Sequence, residues 1–523
     1  MQARISILAG VLVVCALAPS TLLAQTAEDA LRFTERAPAT GPRMMGMAGV
    51  GIAGIGDYGA LYANPAGLGF VRSSVAAGSL KMLSAVDETR YQTTGRTSPI
   101  GEGDIRATRL GNLAYLHKVP TARGSLVVGG AFNQITTFDR SLMYAGPNSG
   151  SSISDSFLPY SGEFEVVEDD DGNFSPRFFH VIPELAYNAG AIEFLSENVG
   201  TGGPLFYQAV VPGTTIDQTG EVLEDGRMNE LNFGGAWEAA EDVMVGLSAN
   251  FAFGTYRFNS FFAEDDTNNE NLPEDYIVIL PDRELLGFDY LEYEQGFESD
   301  LTGFNLRGGV AGEMVNGLRL GLVVETPTFY QIREDYFRDL VTGFDDVIGT
   351  NQNRVMSAGE EGEYEYRLRT PWRLGGGVAY DMGNLFVGVD AEYVDWSQME
   401  FDADDDSFDA TNRSIRENLE PVWNTRLGAE YRLGNIALRG GLAFQPDPRS
   451  TGIESGGETT DRGKTFLSAG VGFHFAEQFA VDIGWMQERF DDQFVPYVDV
   501  DDPPFVEEEV VRNRFAVGFR VNF

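Results

Sequence analysis

The C-terminal sequence VRNRFAVGFRVNF alternates between apolar residues and polar or small ones. One face would carry Phe515, Val517, Phe519, Val521 and Phe523, and the other face Arg, Ala, Gly and Asn. A period of two residues is typical of a β-strand with one apolar face. The same alternation recurs in earlier segments, which begin near Val243, Leu318, Leu385, Ile436 and Phe479. The chain is therefore predicted to be all-β.

Alternation alone fits two classes of protein. A soluble sandwich turns its apolar face to a core, whereas a membrane barrel turns it to lipid. Loop lengths distinguish the two classes. Turns such as DMGN at 381–384 and RLGN at 432–435 are short, while acidic loops such as EDDTNNENLPED at 264–275 are long. Short turns on one rim and long loops on the other indicate an outer-membrane barrel.

The strand count follows from the alternating segments. We expect fourteen strands, which start near residues 73, 106, 124, 229, 243, 301, 317, 362, 384, 419, 435, 464, 478 and 511. With an even number of strands, both ends of the barrel-forming chain lie on the short-turn, periplasmic side. The sequence therefore predicts a 14-stranded antiparallel transmembrane β-barrel over residues 73–523, with its longest external loop at 138–228.

The first 24 residues have the features of a secretory signal peptide. Arg4 precedes a short apolar run, and Ala24 provides a small residue at the expected cleavage site. The only cysteine, Cys15, lies in this segment, so disulfides and cysteine-based zinc sites are excluded from the mature chain. The formal net charge of −42 disfavours nucleic acid as a partner. We predict no metal site and no cofactor.

Residues 25–72 are predicted to form a hatch inside the barrel. GVGIAG at 49–54 has the glycine spacing of a dinucleotide-binding loop, but no strand precedes it and Pro65 ends any following helix. A fourteen-stranded barrel is too wide for its wall side chains alone to fill. Asn64, Pro65, Ala66 and Gly67 form a turn signal, because proline presets φ and asparagine can bond its own backbone.

The N-terminal segment GPRMMGMAGVGIAGIGDYGALYANPAGL resembles that of the FadL/TodX family of outer-membrane transporters of hydrophobic compounds. The segments ETPTFY, TPWRLGGGVAY and DAEYVDWSQMEF are similar to later parts of the same family. The resemblance implies a hatch-plugged barrel that is not an enzyme. It also implies passive uptake of long-chain fatty acids or other apolar molecules, with capture by external loops and exit through the hatch or a gap in the wall.

An apolar ligand requires an apolar contact surface. The 138–228 loop is rich in large apolar residues, and the predicted ligand contacts are Phe157, Tyr160, Phe178, Phe179, Phe194 and Leu195. The alternative is that these side chains pack on one another over the mouth of the barrel. Both are compatible with the sequence. We also expect an amphipathic lid helix within residues 178–197.

A fatty carboxylate would need a cation inside the barrel. Strand parity turns five arginines inward: Arg307, Arg319, Arg373, Arg426 and Arg439. The alternative role for these residues is ion pairing with inward carboxylates of the wall, namely Glu313, Glu325, Asp390, Glu392 or Glu430. A charge facing lipid at the midplane would cost about 2–4 kcal/mol, so the inward orientation is favoured in either case.

Two other functions are compatible with the sequence. PorV-type scaffolds of protein secretion share the N-terminal motif, and a general porin would share the barrel. The glycine-rich segment argues against an open pore. The expected partners are outer-membrane lipid, a hydrophobic small-molecule substrate and the barrel-assembly machinery, which would recognise the terminal Phe523. The protein is expected to be a monomer.

Overall fold

The computed structural model describes residues 26–403, 408–450, 460–476 and 478–523. Fourteen antiparallel strands form a closed barrel, in which the last strand pairs with the first from Val75 opposite Asn522 to Gln92 opposite Phe505. The predicted fold class is therefore confirmed. The predicted signal peptide lies outside the described residues.

Four barrel strands are each divided or extended by a second segment. In chain order, strands 1 to 14 are Val75–Thr93; Gly101–Val119; Leu126–Thr137 with Arg140–Asn148; Ile216–Ala240; Val243–Asp265; Tyr290–Val315; Leu318–Glu325 with Phe329–Gly343; Val355–Arg369 with Arg373–Asp381; Leu385–Asp395 with Glu400–Asp402; Pro421–Leu433; Ile436–Gln445; Lys464–Ala476; Phe479–Phe494; and Phe505–Asn522.

Short helices and small sheets lie outside the barrel wall. The α-helices are α1 (Ala27–Thr34), α2 (Pro42–Met45), α3 (Ala60–Ala63), α4 (Ile153–Ser156), α5 (Val181–Asn188) and α6 (Asp409–Asn418). The external loops form three small antiparallel sheets: Phe164–Glu168 with Phe174–Phe178; Ile192–Phe194 with Phe206–Gln208; and Ile277–Ile279 with Arg283–Leu286 and Asp346–Gly349. None of the described helices has the length and apolar character needed to span a membrane.

Several strands extend farther outward than the sequence predicted. Strand 6 begins at Tyr290 rather than near 301, and strand 4 begins at Ile216 rather than near 229. The added part of strand 6 places polar residues such as Glu292 and Glu294 on its outer face, so the apolar alternation stops there while the pairing continues. For the same reason the loop predicted at 138–228 is shorter, spanning 149–215.

The outer face of the barrel carries an apolar band. Exposed side chains on many strands contribute to it, including Leu113, Phe251, Leu322, Val389 and Leu467. The inner face is instead polar or tightly packed, as expected where outward and inward residues alternate along each strand.

Asparagines on neighbouring strands form a continuous hydrogen-bonded series on the inner face, which we name the amide row. Asn133 donates to Asn232 at 2.8 Å, and Asn232 donates to Asn250 at 2.8 Å. Asn250 donates to Asn305 at 2.7 Å, and Asn305 donates to Thr328 at 2.8 Å. The amide row connects strands 3 to 7, each bond contributing about 1 kcal/mol.

The external loops pack into a second core above the barrel, which we name the external module. It combines residues from the 149–215 loop with the loops at 266–289 and 344–354. Its centre is apolar and buried, with residues such as Ile192, Tyr276, Leu285 and Phe344. The mouth of the barrel is therefore covered by folded structure rather than by extended loops.

Candidate functional site

The N-terminal segment, residues 26–72, makes hydrogen bonds with inward side chains from several parts of the wall. Arg43 donates through Nε to Glu430 of strand 10 at 2.9 Å. Asp390 of strand 9 accepts the backbone N–H groups of Gly51 and Ile52, at 2.7 and 3.0 Å. The glycines of GVGIAG therefore form part of a chain reversal held by a wall carboxylate, and not a nucleotide-binding loop.

The predicted turn of Asn64, Pro65, Ala66 and Gly67 is buried and docks on strands 5 to 7. The Asn64 side chain accepts from the Ala66 backbone at 3.0 Å and donates to the Ile52 carbonyl at 2.8 Å. Its amide also reaches the carbonyls of strands 6 and 7 at 3.3 Å. A Cβ at Gly309 would overlap the Asn64 side chain, so glycine is required there for the close approach.

The structure turns all five predicted arginines inward and places each in an ion pair. Arg307 pairs with Glu325 at 2.6 Å, and Arg439 pairs with both Glu430 and Asp482 at 2.7 Å. The remaining pairs are Arg319 with Glu313, and Arg373 and Arg426 with Glu392. These contacts match the ion-pair alternative, while a role in ligand binding stays a prediction.

A cavity of about 140 Å³ lies above this network, between α1 and strands 3, 4, 12, 13 and 14. We name it the upper cavity. Its cationic lining residues are Arg32, Arg36, Arg140, Arg449, Arg462, Lys464, Arg512 and Arg514, and its acidic ones are Glu28, Glu35, Glu224, Glu488 and Asp492. Cations exceed carboxylates here although the whole chain has a formal charge of −42. The upper cavity is therefore suited to an anion.

The strand pairing of the barrel wall is interrupted between strands 2 and 3, and we name this interruption the wall gap. Residues 112–119 of strand 2 pair with residues 126–133 of strand 3, but residues 101–110 pair only with strand 1. Strand 3 breaks at Phe138 and Asp139, and its second segment pairs with strand 4. A Cβ at Gly103 would overlap the Ser141 carbonyl, which shows that strand 3 bends inward behind strand 2.

The wall gap contains a small cavity of about 30 Å³ that adjoins the upper cavity. The two cavities share the lining residues Thr136, Thr137 and Arg514. Arg109 of strand 2 and Asp139 of strand 3 form a bidentate ion pair beside it, with one contact of 2.6 Å. Exposed Met82 and Leu110 lie on the adjoining outer face. The wall gap therefore lies at the level of the apolar band.

Sequence reasoning missed most charged residues at these two cavities. Lys81 of strand 1 is the clearest case, because it lies in the inward row of a membrane strand. An ionisable residue within a spanning segment is itself a signal of a functional site. Arg109 and Arg514 carried the same signal. The burial of Gln134 could not have been predicted from the sequence. By alternation Gln134 belongs to the outward-facing residues of strand 3, and only the inward bend of that strand encloses its side chain.

The predicted external aromatics divide into buried and exposed groups. Phe178 and Phe194 pack against the Phe206 ring, with centroid distances of 5.7 and 5.3 Å, and Phe157 packs against Tyr293 at 5.7 Å. Tyr160 and Phe179 are 59% and 55% exposed, and Leu195 is half-buried. Phe157 and Phe194 belong to the buried core of the external module, and partly buried Phe178 packs against it, as in the self-packing alternative. Their role in binding a ligand stays a prediction.

Residues 178–197 contain a helix, as predicted, but it covers only part of this range. Helix α5 spans Val181–Asn188, and Gly190 adopts a φ of +72°, which suits a chain reversal after the helix. Phe194 lies in the short strand Ile192–Phe194, which pairs with Phe206–Gln208. Phe194 and Leu195 are therefore not helical residues.

Comparisons with known proteins identify the fold. No protein-family model and no curated protein matches the sequence. The crystal structure of a Pseudomonas aeruginosa FadL homologue matches with a TM-score of 0.53 at 11% identity, covering 93% of this chain and 99% of that one. The P. putida toluene transporter TodX matches with a TM-score of 0.52 at 11% identity and the same coverage. This chain has the FadL fold.

The FadL fold and the apolar outer band together confirm the predicted location in the bacterial outer membrane. At 11% identity the likeness establishes the architecture, and the ligand has to be inferred from the chain's own residues. In this FadL-type barrel, the residues to consider are those that line the upper cavity and the wall gap, together with the N-terminal segment beside them.

Proposed function

We propose that this protein is an outer-membrane channel for hydrophobic small molecules, with long-chain fatty acids as its main substrates. The wall gap is the observation that carries the proposal. A hydrophobic molecule gains free energy by leaving water for an apolar phase. A break in the strand pairing at the level of the apolar band would let such a molecule pass from the lumen into the bilayer without crossing water.

The charge of the upper cavity supports fatty acids as the substrate. A carboxylate is bound most strongly by charge-assisted hydrogen bonds from Arg or Lys. Arg512 lines the upper cavity and makes no ion pair with any described residue, although its guanidinium lies 5.2 Å from the Phe490 ring. The apolar lining residues Leu31, Phe138 and Phe490 offer contacts for an alkyl chain.

The N-terminal segment would serve as the hatch. It is held to the wall by Arg43, by Asp390 and by the Asn64 turn, and most of its residues are buried. A segment that plugs the lumen would disfavour the general porin, because ions would have no open path. The hatch would leave the wall gap as the route for the substrate.

The solved structures similar to this chain support a hydrophobic substrate without specifying fatty acids. One of them is described as a toluene transporter, which is also a protein that moves a hydrophobic compound. These relatives are transport proteins, and we assign no enzymatic activity to this chain. Neutral aromatic hydrocarbons are the competing substrate class.

Blocking the wall gap tests the proposal. Ala107 lines the gap cavity, and Ala107→Trp would fill it. The uptake of palmitate and of toluene is measured in proteoliposomes containing the wild type or the variant. We expect palmitate uptake by the wild type and its loss in Ala107→Trp. Ala249→Trp is the matched control, because Ala249 has outward parity on strand 5, away from the gap.

Two different results would contradict the proposal. Unchanged palmitate uptake in a folded Ala107→Trp barrel would exclude exit through the wall gap. Uptake of toluene without palmitate would replace fatty acids by aromatic hydrocarbons as the substrate class. The folded state of each variant is checked by its resistance to unfolding in cold detergent on gels.

A further inference from the structure

We propose that the wall gap is itself a binding site for a carboxylate head group, with Lys81 as its central residue. The inference rests on the proposed function and deepens it, because it assigns a ligand preference to the wall gap, the proposed exit route. The site would recognise a monocarboxylate with an apolar tail and would discriminate it from an uncharged hydrocarbon of the same length.

Lys81 is a buried amine without an acidic partner among the described residues. Its residue is 9% exposed, and its Nζ donates to the Gln134 carbonyl at 2.9 Å. It makes no ion pair with any residue that the structure describes. An ammonium group carries three donors, so two are left for another partner. A carboxylate bound at this position would stabilise the charged form of Lys81, because a buried charge without a counter-charge is unfavourable.

The neighbouring cations are already neutralised. Arg109 pairs with Asp139, and Arg514 pairs with Glu488 at 2.6 Å. Both arginines line the gap cavity together with Lys81. Lys81 is therefore the basic group of the gap cavity that has no acidic partner among the described residues, and its protonated form fits a ligand with one negative charge.

An uncommitted amide donor accompanies Lys81 at the gap cavity. The Gln134 side-chain nitrogen has no hydrogen-bond partner among the described residues, and Gln134 is only 3% exposed. This group is a donor, so the missing partner is an acceptor such as a carboxylate oxygen.

The backbone near Lys81 leaves room for its side chain. A Cβ at Gly111 would lie 2.7 Å from the Lys81 Cγ, so any other residue there would displace the lysine stem. Met82, Leu83 and Ile135 also line the gap cavity and provide apolar contacts beside the ammonium group. A charged centre next to apolar side chains matches a head group joined to an alkyl tail.

Lys81→Met tests the proposal because it removes the charge and keeps an unbranched apolar stem. Uptake and equilibrium binding of palmitate are compared with those of methyl palmitate, its uncharged ester, on the full-length barrel. We expect palmitate binding to weaken about tenfold, as for the loss of one charge-assisted contact, and methyl palmitate to be unaffected. Lys81→Arg should restore palmitate binding.

Lys118→Met is the matched control, because Lys118 lies near the periplasmic end of strand 2 and donates to Ser125. It should leave both probes unchanged. Since Lys81→Met removes a buried unpaired charge, it should not lower the unfolding temperature of the barrel. A loss of palmitate binding would then not be caused by unfolding.

The outcomes separate this inference from the proposed function. If the wild type transports both probes and Lys81→Met weakens both equally or neither, the carboxylate site is refuted while the channel function stands. If the wild type transports neither probe, the proposed function itself is wrong. If Gln134→Glu, which places a negative charge beside Lys81, leaves palmitate binding unchanged, the assigned location of the site is wrong.

Discussion

Replacing Asp390 with alanine should release the chain reversal around Gly51 from the barrel wall. Asp390 is fully buried on strand 9, and one carboxylate oxygen accepts the N–H groups of Gly51 and Ile52 at 2.7 and 3.0 Å. Hydrogen bonds to a charged group contribute about 1.5–3 kcal/mol each. Because both bonds share one oxygen, we take about 3 kcal/mol as the local cost of their loss.

A cost of this size is large enough to measure. About 3 kcal/mol corresponds to roughly a hundredfold rise in the population of the detached state. The segment should stay attached elsewhere, because the Asn64 amide keeps the carbonyls of strands 6 and 7 as partners and Arg43 keeps Glu430. The predicted effect is therefore local opening near residues 49–54 and not unfolding of the barrel.

Hydrogen exchange followed by mass spectrometry measures this opening directly. Peptides covering residues 49–54 should exchange roughly a hundredfold faster in Asp390→Ala than in the wild type. Glu363→Ala is the control, because Glu363 forms an exposed ion pair with Arg333 that is expected to contribute less than about 1 kcal/mol. Wild-type exchange rates in Asp390→Ala would refute the reasoning that this carboxylate holds the segment.

Two further predictions concern stability. Burial raises the pKa of Glu193 in the external module to about 7 from an ordinary value of 4.5. The free energy of unfolding of the module should therefore fall as pH rises from 4.5 to about 7. The full pKa shift corresponds to at most about 3 kcal/mol, and the partial exposure of Glu193 makes the effect smaller. Glu193→Gln should remove this dependence in proteolysis measured from pH 5 to 8, and an unchanged pH profile would contradict it. Asn250→Leu should lower the free energy of unfolding in urea by about 1–3 kcal/mol, because its partners Asn232 and Asn305 each lose a bond; equal urea midpoints would exclude a stabilising amide row.

The barrel could be predicted from the sequence because the pattern that indicates it is local. The alternation of apolar and polar residues sets which face each side chain occupies, so the inward orientation of Arg307 and Arg439 followed from parity alone. The short periplasmic turns and the outer apolar band followed from the same pattern. Self-packing of the apolar loop residues was one of two alternatives that the sequence left open, and burial is the usual fate of Phe.

The wall gap could not be predicted from the sequence because its causes are not local. The segment LVVGGAFNQITTFDRSLMYAGPN has no proline at Phe138, where strand 3 breaks. The predicted loop began at residue 138, so the second segment of strand 3, Arg140–Asn148, was not expected. Phe138 instead packs against Phe33 of α1, with ring centroids 6.3 Å apart. The contact draws strand 3 inward, and it joins residues more than a hundred positions apart in the sequence. The enclosure of Gln134 depends on the same bend.

The boundary between strands 2 and 3 also has a mechanical consequence. Among the described strands, these neighbours share the fewest paired residues, those from 112 to 119 with those from 126 to 133. Strands 4 and 5 are paired along nearly their whole length, from 217 to 240. Lateral tension in the membrane would therefore separate the wall first at the boundary of strands 2 and 3. The permeability of this barrel should consequently respond to the thickness and tension of the surrounding bilayer, as well as to the concentration of its substrate.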